Sequence, residues 1–382
     1  MNVVIAIDSF KGSLSSLDAG MAAAEGVQRA IPDANIAVRP IADGGEGTVE
    51  ALCVALGGVK ISIDVTGPLG DIVKADYGII PKSRTAVIEI SAAAGITLVP
   101  EGKRNPLNTT SYGVGEIISD AIERGCRTFL IGIGGSATND GGIGMLQALG
   151  FDILNKYGTP VSKFGRGLED VCSVSGDNAN PHLRECSFTI ACDVKNTLCG
   201  QMGSSRIYGP QKGADEETIA KMDKWLENFA KVSKINFPNA NKDAEGAGAA
   251  GGLGFAFCTF LNGKLTGGIE LVLKETRLEE YIKTADIVVT GEGRLDSQTI
   301  MGKAPIGVSA IAKKHGKRVI AFSGSANSDA YLCNQHGIDA FFPIVRGACS
   351  LKEAMNTDTA FDNMADTAEQ VFRLINVLEY HG

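Results

Sequence analysis

Residues 132–144 read Gly-Ile-Gly-Gly-Ser-Ala-Thr-Asn-Asp-Gly-Gly-Ile-Gly, and no other stretch says as much about the fold. An apolar run at residues 129–131 precedes it, and a helix-like run at residues 145–149 follows it. A strand, a glycine loop and a helix in that order are typical of an α/β domain. They also leave backbone N–H groups bare at the N-terminus of the helix, where phosphate and carboxylate groups bind. The stretch therefore predicts a site for an anionic small molecule, with the phosphates of a nucleotide as the first candidate.

The same stretch also fits the dinucleotide-binding fingerprint G-x-G-x-x-A, with Gly132, Gly134 and Ala137 at its small positions. Asp152 follows at about the distance where an NAD-dependent dehydrogenase places its ribose-binding carboxylate. However, Asp152 precedes an apolar run instead of ending one. A dehydrogenase that uses residues 132–137 is therefore the alternative function, and glycines that only permit close packing are the structural alternative.

A second glycine-rich stretch, residues 246–251, has the form G-x-G-x-x-G, but the residues before it are polar and predict no strand. It is therefore not a dinucleotide site. A turn that lines a cleft and a tight packing site are both compatible with it.

Composition and charge narrow the class of protein. The 382 residues are enough for two domains. The 48 glycines exceed the average of about 7% and cluster in loops, which indicates functional loops. The net charge of −8 argues against nucleic acid or a membrane surface as partner, although it leaves room for a local basic pocket. No long apolar run predicts a membrane span.

The nine cysteines show no close pairing typical of a zinc or redox motif, and four histidines make a zinc site improbable. We predict reduced, mostly buried thiols and hence a cytoplasmic protein. The first residues do not have the pattern of a signal peptide.

The order of predicted elements indicates an α/β protein with two domains. Apolar runs at residues 3–7 and 36–38 alternate with helical patterns, as in a parallel sheet, and this order returns from residue 286 onward. Residues 60–90 instead read as three consecutive strands joined by turns, which is antiparallel order. We predict a discontinuous Rossmann-like three-layer domain with a parallel sheet, and an inserted mixed α/β domain. The predicted bounds are residues 1–58, 108–149 and 283–382 for the first domain and residues 59–107 and 150–282 for the second.

Acidic and basic side chains follow several of the predicted strands. Ligands of open α/β sheets bind at the carboxyl ends of the strands, so these side chains should converge around a ligand. Converging carboxylates repel one another unless a cation bridges them, and Mg²⁺ prefers oxygen ligands. Helix capping is the alternative interpretation of Asp8 and Asp43. The acidic residues are Asp8, Asp43, Glu46, Asp193, Glu292 and Asp296, and the basic residues are Lys11, Lys195, Lys212, Arg294 and Lys303.

Eight segments resemble the sequence motifs of the type I glycerate kinases. They occur in order along nearly the whole chain, which makes the resemblance far more specific than a single glycine loop. No departure from the motifs suggests an inactive enzyme. The segments are residues 8–13 (DSFKGS), 41–48 (IADGGEGT), 108–116 (NTTSYGVGE), 132–144, 191–196 (ACDVKN), 208–213 (YGPQKG), 246–254 (GAGAAGGLG) and 290–296 (TGEGRLD).

The resemblance implies a kinase, a phosphotransferase with an alcohol group as acceptor. It implies ATP-dependent phosphorylation of glycerate, from D-glycerate to 2-phosphoglycerate, with Mg²⁺ as cofactor. It also implies two α/β domains with the site in the cleft between them, in agreement with the two domains predicted from the element order. ATP and glycerate are then the small-molecule partners.

We expect the following roles if the resemblance holds. Lys11 neutralises the transferring phosphoryl group, and Asp193 accepts the proton of the reacting hydroxyl. Arg294, with Lys303 as the weaker candidate, clamps the glycerate carboxylate. The expected nucleotide-binding residues are Gly134, Gly135, Ser136, Thr138 and Asn139, the expected substrate-binding residues are Asp8, Arg294 and Lys303, and the expected magnesium ligands are Asp43, Glu46 and Asp296.

Overall fold

A computed structural model describes residues 1–380, and the chain forms two compact units. The first unit contains Met1–Asp43, Glu50–Leu56 and the chain from Ile269 onward. The second unit contains Gly44–Val49 and Gly57–Gly268. Each unit has its own central sheet, so each is described separately.

The helices and strands follow the α/β order that the sequence predicts. The strands are β1 (Asn2–Ile7), β2 (Asn35–Val38), β3 (Val59–Thr66), β4 (Ile72–Ile80), β5 (Thr85–Glu89), β6 (Thr128–Gly132), β7 (Asp152–Leu154), β8 (Ser173–Ser175), β9 (Ser187–Ala191), β10 (Lys264–Thr266), β11 (Ile287–Leu295), β12 (Arg318–Ala326) and β13 (Ala340–Pro343). The α-helices are α1 (Ser16–Ala30), α2 (Thr48–Leu56), α3 (Ser91–Ala94), α4 (Tyr112–Glu123), α5 (Ile143–Ala148), α6 (Ser204–Tyr208), α7 (Glu216–Asn236), α8 (Ala249–Phe260), α9 (Gly268–Glu275), α10 (Leu278–Thr284), α11 (Ala304–Lys314), α12 (Leu332–Gln335), α13 (Leu351–Ala354) and α14 (Thr357–Tyr380).

The first unit is built on a five-stranded parallel sheet in the order β13-β12-β11-β1-β2. Val3, Ile5 and Ile7 of β1 belong to a buried cluster that includes the apolar faces of α1 and α14. Side chains alternate along a strand, so Val4 and Ala6 point to the opposite face, where α10 and α11 contact the sheet. Helices therefore cover both faces, which confirms the predicted three-layer Rossmann-like fold.

The second unit contains a six-stranded mixed sheet in the order β10-β9-β6-β5-β4-β3. Strands β3, β4 and β5 pair antiparallel, whereas β5, β6, β9 and β10 pair parallel. The antiparallel order predicted for residues 60–90 is therefore correct. A separate antiparallel ribbon joins β7 to β8.

The two units divide the chain differently from the predicted bounds. The sequence prediction assigns residues 108–149 to the Rossmann-like domain, but β6 hydrogen-bonds to β5 and β9 and so lies in the second unit. A helix followed by a parallel strand looks alike in either sheet, because its sequence pattern does not show which strands it will pair with. Residues 269–282, predicted within the inserted domain, belong to the first unit.

Two general features bear on the class of protein. All nine cysteines are free thiols, of which Cys126, Cys199 and Cys333 are buried and Cys172 and Cys349 are exposed. Within residues 1–380, no helix is both long enough and apolar enough to span a bilayer.

Helices α1 and α14 approach so closely at Gly26 that we expect Gly26→Ala to destabilise the protein. A Cβ at this position would lie 2.1 Å from the Ala365 carbonyl oxygen and 2.8 Å from the Ala368 Cβ. The helices would have to separate, and overpacking of this kind lowers the free energy of unfolding by about 1–3 kcal/mol, more than the helix propensity of alanine restores. Urea unfolding measures the loss. Gly347→Ala is the matched control, since no atom lies within 4 Å of its added Cβ; equal stability of the two variants would contradict the prediction.

Candidate functional site

A pocket of about 540 Å³ lies in the first unit, beyond the carboxyl ends of β1, β11 and β12. This is the edge at which open α/β sheets bind their ligands. Six of the residues that the sequence assigns to the site line this one pocket. They are Asp8, Lys11, Asp43, Arg294, Asp296 and Lys303.

The two central strands of the sheet bring these side chains together. Asp8 follows the buried strand β1 directly, and β11 extends to Leu295, through most of the motif at residues 290–296. The extension forms because β12 pairs with it, with Glu292 opposite Ser323 and Arg294 opposite Ser325. Glu292 and Arg294 are two residues apart on a strand, so their side chains point to the same face.

Two carboxyl groups of the pocket, those of Asp8 and Glu292, have raised pKa values. Burial and, to a smaller extent, the Asp43 carboxylate raise the pKa of Asp8 to about 7, against the opposing effect of the Ser9 amide and Lys11. Burial likewise raises the pKa of Glu292, although the Thr299 hydroxyl and Lys303 oppose this. A cation that entered the pocket would therefore stabilise the ionised forms of both groups.

Positive charge lines the same pocket. Lys11 Nζ lies 3.9 Å from Asp43 Oδ2, and Lys303 Nζ lies 3.5 Å from Glu292 Oε2. Arg294 is exposed and forms no ion pair with any described residue. The pocket thus offers three cationic side chains to an anionic ligand, with two of them tethered by nearby carboxylates.

Two hydroxyl groups in the pocket were missed by the sequence prediction. The Oγ atoms of Ser9 and Ser13 are buried and have no hydrogen-bond partner among the described residues. A buried hydroxyl without a partner is unfavourable, so both are available to a ligand. Their signal in the sequence was the motif at residues 8–13, in which only Asp8 and Lys11 were assigned a role.

Apolar side chains also line the pocket. Phe10, Ile344, Leu351 and Met355 line it. The cavity therefore combines charged and apolar lining residues, as pockets for organic ligands commonly do.

The predicted magnesium ligands do not form a preassembled cage. Within residues 1–380, no three His, Cys, Asp or Glu side chains lie close enough to hold a metal ion by themselves. Asp43 and Asp296 line the pocket of the first unit, whereas Glu46 belongs to the second unit. There, burial and the Glu46 carboxylate raise the pKa of Glu89.

In the second unit, the glycine loop between β6 and α5 exposes backbone donors. Gly134 and Gly135 are exposed, and their amides donate to no carbonyl of the described residues. The rest of the loop is anchored: the Ile96 amide donates to the Gly135 carbonyl at 2.8 Å, and the Ala137 amide donates to the Ala94 carbonyl at 2.8 Å. The loop therefore presents two free N–H groups on a fixed backbone.

The helix after this loop is not the anion site that the sequence predicts. Its N-terminal amides are already occupied, because Asp140 accepts hydrogen bonds from Gly142 N at 3.0 Å and Gly144 N at 3.4 Å. The Ser111 amide and hydroxyl donate to the same carboxylate at 2.8 and 2.7 Å. Asp140 thus supplies the negative charge at this helix N-terminus, and the free donors lie further back, at Gly134 and Gly135.

Asn139 and Thr138, both expected to bind nucleotide, are buried. Asn139 Nδ2 donates to Ser205 Oγ at 2.8 Å, and its Oδ1 accepts from Ser204 Oγ at 2.5 Å. The Asn139 side chain is therefore fully used in tying the loop to α6, which corrects its expected role. The Thr138 hydroxyl has no partner among the described residues.

Lys212 lies beside this loop, and the sequence analysis assigned it no individual role. It is 3% exposed, and its Nζ donates to Ser136 Oγ at 2.8 Å and to the Thr138 carbonyl at 2.6 Å. Burial lowers its pKa to about 7, against the opposing effect of the Asp140 carboxylate. The sequence signals for it were the motif at residues 208–213 and its place among the basic residues expected near the ligand.

Asp193 follows β9 and remains exposed. Its Oδ1 accepts a hydrogen bond from the Gly268 amide at 2.8 Å. The carboxylate is therefore held in one orientation while staying accessible to solvent.

Comparison with known proteins identifies the family. The model of the glycerate kinase family matches residues 3–376. This chain belongs to the glycerate kinase family. It is accordingly a phosphotransferase with an alcohol group as acceptor, as the sequence predicts.

Relatives of the chain share its whole length. It is 45% identical to the glycerate kinase of Haemophilus influenzae, over 98% of this chain and 99% of the relative. It is 46% identical to the glycerate 2-kinase of Escherichia coli, over 97% of each chain. A glycerate kinase 2 crystal structure from Salmonella typhimurium LT2 matches it with a TM-score of 0.91 and 43% identity, covering 100% of this chain and 99% of that one.

Asp152 does not have the position that the alternative function, a dehydrogenase, requires in this glycerate kinase family member. Asp152 begins β7 in the antiparallel ribbon, where its carboxylate accepts a hydrogen bond from Asn178 Nδ2 at 2.7 Å. A ribose-binding carboxylate would instead end the next parallel strand, and the neighbours of β6 are β5 and β9.

The glycines of residues 246–251 serve close packing. A Cβ on Gly251, whose φ is +73°, would lie 1.9 Å from the Thr138 carbonyl oxygen. The same carbonyl oxygen accepts a hydrogen bond from Lys212 Nζ and lies close to the backbone at the start of α8.

The raised pKa of Asp8 predicts that the stability of this glycerate kinase family member depends on pH. Because the pKa is about 7 in the folded chain and ordinarily 3.8, folding takes up a proton between these values. The stabilisation is complete below the lower value and is lost as pH rises through about 7. Asp8→Asn cannot ionise, so from about pH 5 to about pH 8 it should gain on the order of 1–4 kcal/mol in free energy of unfolding relative to the wild type.

Thermal unfolding in EDTA, followed by circular dichroism, measures this difference. Asp33→Asn is the control, because Asp33 is an exposed carboxylate of the same unit. A constant stability difference between Asp8→Asn and the wild type across this pH range would show that Asp8 titrates normally.

Proposed function

We propose that this chain catalyses the ATP-dependent phosphorylation of glycerate, from D-glycerate to 2-phosphoglycerate, with Mg²⁺ as cofactor, in the cytoplasm. Family membership supports the reaction class, and the name of the Escherichia coli relative supports the 2-position. The observation that carries the proposal is the pocket in which Lys11, Arg294 and Lys303 meet a cluster of carboxylates. The nine free thiols agree with a reducing compartment.

Phosphoryl transfer depends on positioning and charge neutralisation more than on covalent catalysis. Lys11 is 64% exposed and flexible, so its ammonium is suited to follow the phosphoryl group as it moves. Arg294 offers a planar fork that fits a carboxylate in two-point contact, and we assign it to the glycerate carboxylate. Lys303 supports the same anion, and the buried carboxyl of Asp8 borders the substrate.

The phosphates of ATP are the ligand we assign to the glycine loop of the second unit. The free amides of Gly134 and Gly135 and the hydroxyl of Ser136 supply hydrogen-bond donors there. Thr138 and Asn139 are both buried, so we assign them a role in supporting this loop and not in contacting the phosphates.

Asp193 is our candidate for the base at the glycerate hydroxyl. The Gly268 amide fixes its carboxylate, and the side chain stays exposed to a substrate. A positioned carboxylate that accepts the hydroxyl proton makes the oxygen a better nucleophile as the phosphoryl group transfers.

The carboxylates of the pocket fit a magnesium ion that takes some of its ligands from the protein and the others from phosphate. Mg²⁺ usually takes one or two protein carboxylates and completes its shell with phosphate oxygens and water, so a three-carboxylate cage is unnecessary. Asp43 and Asp296, which line the same pocket, would hold it. The observation that favours a cation there is the raised pKa of Asp8, which burial and the neighbouring Asp43 carboxylate cause. When bound, Mg²⁺ would neutralise charge on the phosphate oxygens.

The reaction is tested with D-glycerate and Mg-ATP in an assay coupled to ADP release. Phosphorus NMR of the product then identifies the phosphorylated carbon, and L-glycerate and EDTA serve as controls. We expect 2-phosphoglycerate from D-glycerate only when Mg²⁺ is present. Absence of ADP release, or a product phosphorylated at carbon 3, would overturn the proposal.

Lys11→Ala should lower kcat by about 10²–10³-fold, because a charge that neutralises the transferring phosphoryl group is lost. Lys274→Ala is the control, since Lys274 is an exposed lysine of the same unit. Steady-state kinetics measures the effect. Unchanged rate and unchanged ATP affinity would remove Lys11 from the site.

Asp193→Asn should lower kcat by about 10²–10⁴-fold, because the amide cannot accept the hydroxyl proton. The melting temperature should stay near that of the wild type, since the amide oxygen can still accept from the Gly268 amide. Asp170→Asn, at an exposed carboxylate of the same unit, is the control. Near-normal turnover of Asp193→Asn would exclude Asp193 as the base.

A further inference from the structure

Lys212 is buried with neutral partners. Its Nζ donates to a hydroxyl and a backbone carbonyl, both in the glycine loop, and not to a carboxylate. Burying an ammonium in this way is unfavourable, because neutral oxygens replace its hydration only in part. The Asp140 carboxylate offsets only part of this, since the pKa of Lys212 is still lowered to about 7. An anion bound near the ammonium would therefore stabilise its charged form.

Lys212 and Ile96 together occupy two carbonyl acceptors of the loop. The ammonium binds the Thr138 carbonyl, and the Ile96 amide binds the Gly135 carbonyl, so both of these acceptors are used inside the unit. The amides of Gly134 and Gly135 are left as unpaired donors. Gly135 has a φ of +72°, the left-handed conformation found in backbone nests that bind anions.

Lys212 also fixes the direction of the Ser136 hydroxyl. Because Ser136 Oγ accepts a hydrogen bond from the ammonium, its own proton is left to donate elsewhere. The hydroxyl can therefore add a third donor to the two free amides.

We propose that Lys212 is a positioning residue for phosphoryl transfer, which holds residues 134–138 in an anion-binding shape and supplies the positive charge that lets this loop bind the phosphates of ATP. The inference rests on the proposed function for the identity of the anion. The charge acts through the loop, because Lys212 is itself 3% exposed, and a charge in a poorly hydrated interior is only weakly screened.

The test compares four variants in the full chain. Lys212→Met removes the charge and keeps the apolar stem, Lys212→Arg keeps the charge, and Ser136→Ala removes the oriented hydroxyl. Lys224→Met makes the same chemical change at an exposed lysine of the same unit and is the control. Calorimetric titration with Mg-ATP, the KM values for both substrates, and the melting temperature are measured for each.

We expect Lys212→Met to weaken ATP binding and raise the KM for ATP by about tenfold or more, while the KM for glycerate changes by less than about twofold. Ser136→Ala should produce a smaller change in the same direction. Lys212→Arg should recover part of the ATP affinity, and Lys224→Met should behave as the wild type.

Three outcomes would overturn the inference. One is wild-type ATP affinity in folded Lys212→Met, and another is a rise in the KM for glycerate alone. The third is equal loss of ATP affinity in Lys212→Met and Lys212→Arg with equally lowered melting temperatures, which a structural pin would produce. If Lys212→Met does not fold, Lys212→Arg and Ser136→Ala decide by the same criteria.

The titration separates this inference from the proposed function. ATP binding is measured without turnover, so a wild-type chain that binds ATP but does not phosphorylate glycerate refutes the function and leaves the role of Lys212 open to the same variants. A wild-type chain that phosphorylates glycerate while Lys212→Met binds ATP normally refutes only the role of Lys212.

Discussion

Two buried charges of opposite sign, Asp140 and Lys212, determine the shape of the glycine loop. Asp140 accepts hydrogen bonds from Ser111 and from the first amides of α5. Lys212 donates to oxygen atoms of the loop itself. Hydrogen bonds from Ser111, Gly142 and Gly144 oppose the rise that burial causes in the pKa of Asp140. The Asp140 carboxylate in turn opposes the fall that burial causes in the pKa of Lys212. These contacts, with those of Ile96 and Ala94, hold the loop, while the amides of Gly134 and Gly135 stay exposed without a backbone acceptor among the described residues.

The pocket of the first unit differs from this loop, because it brings together carboxyl groups that repel one another. Burial and proximity raise the pKa of Asp8 and of Glu292, so the folded chain holds them at a cost in stability. Groups with shifted pKa values in a cleft at the carboxyl ends of strands are typical of functional sites. The burial of apolar side chains on both faces of β1 stabilises the sheet and offsets this cost.

Local sequence patterns predicted the elements better than their partners. The apolar run of β1, the turn-rich strands of residues 60–90 and the polar residues after β1 and β11 were all readable, because each depends on neighbours in the chain. The sheet that β6 joins was not readable, because strand pairing depends on contacts far along the sequence. The same holds for Lys212, whose partners lie 76 and 74 residues earlier. The occupied N-terminus of α5 was missed because Asp140 looked like one more polar residue of a ligand loop.

The position of β1 in its sheet has a consequence for synthesis on the ribosome. Its neighbours are β2, made at once, and β11, which begins at Ile287. At translation rates of about 5–20 residues per second, one edge of β1 waits on the order of 15–60 s for its partner. The second unit, nearly all of it within Gly57–Gly268, emerges complete during that interval. The nascent chain must therefore keep an apolar strand from aggregating while a whole folding unit forms behind it, which makes this segment a natural target for chaperones.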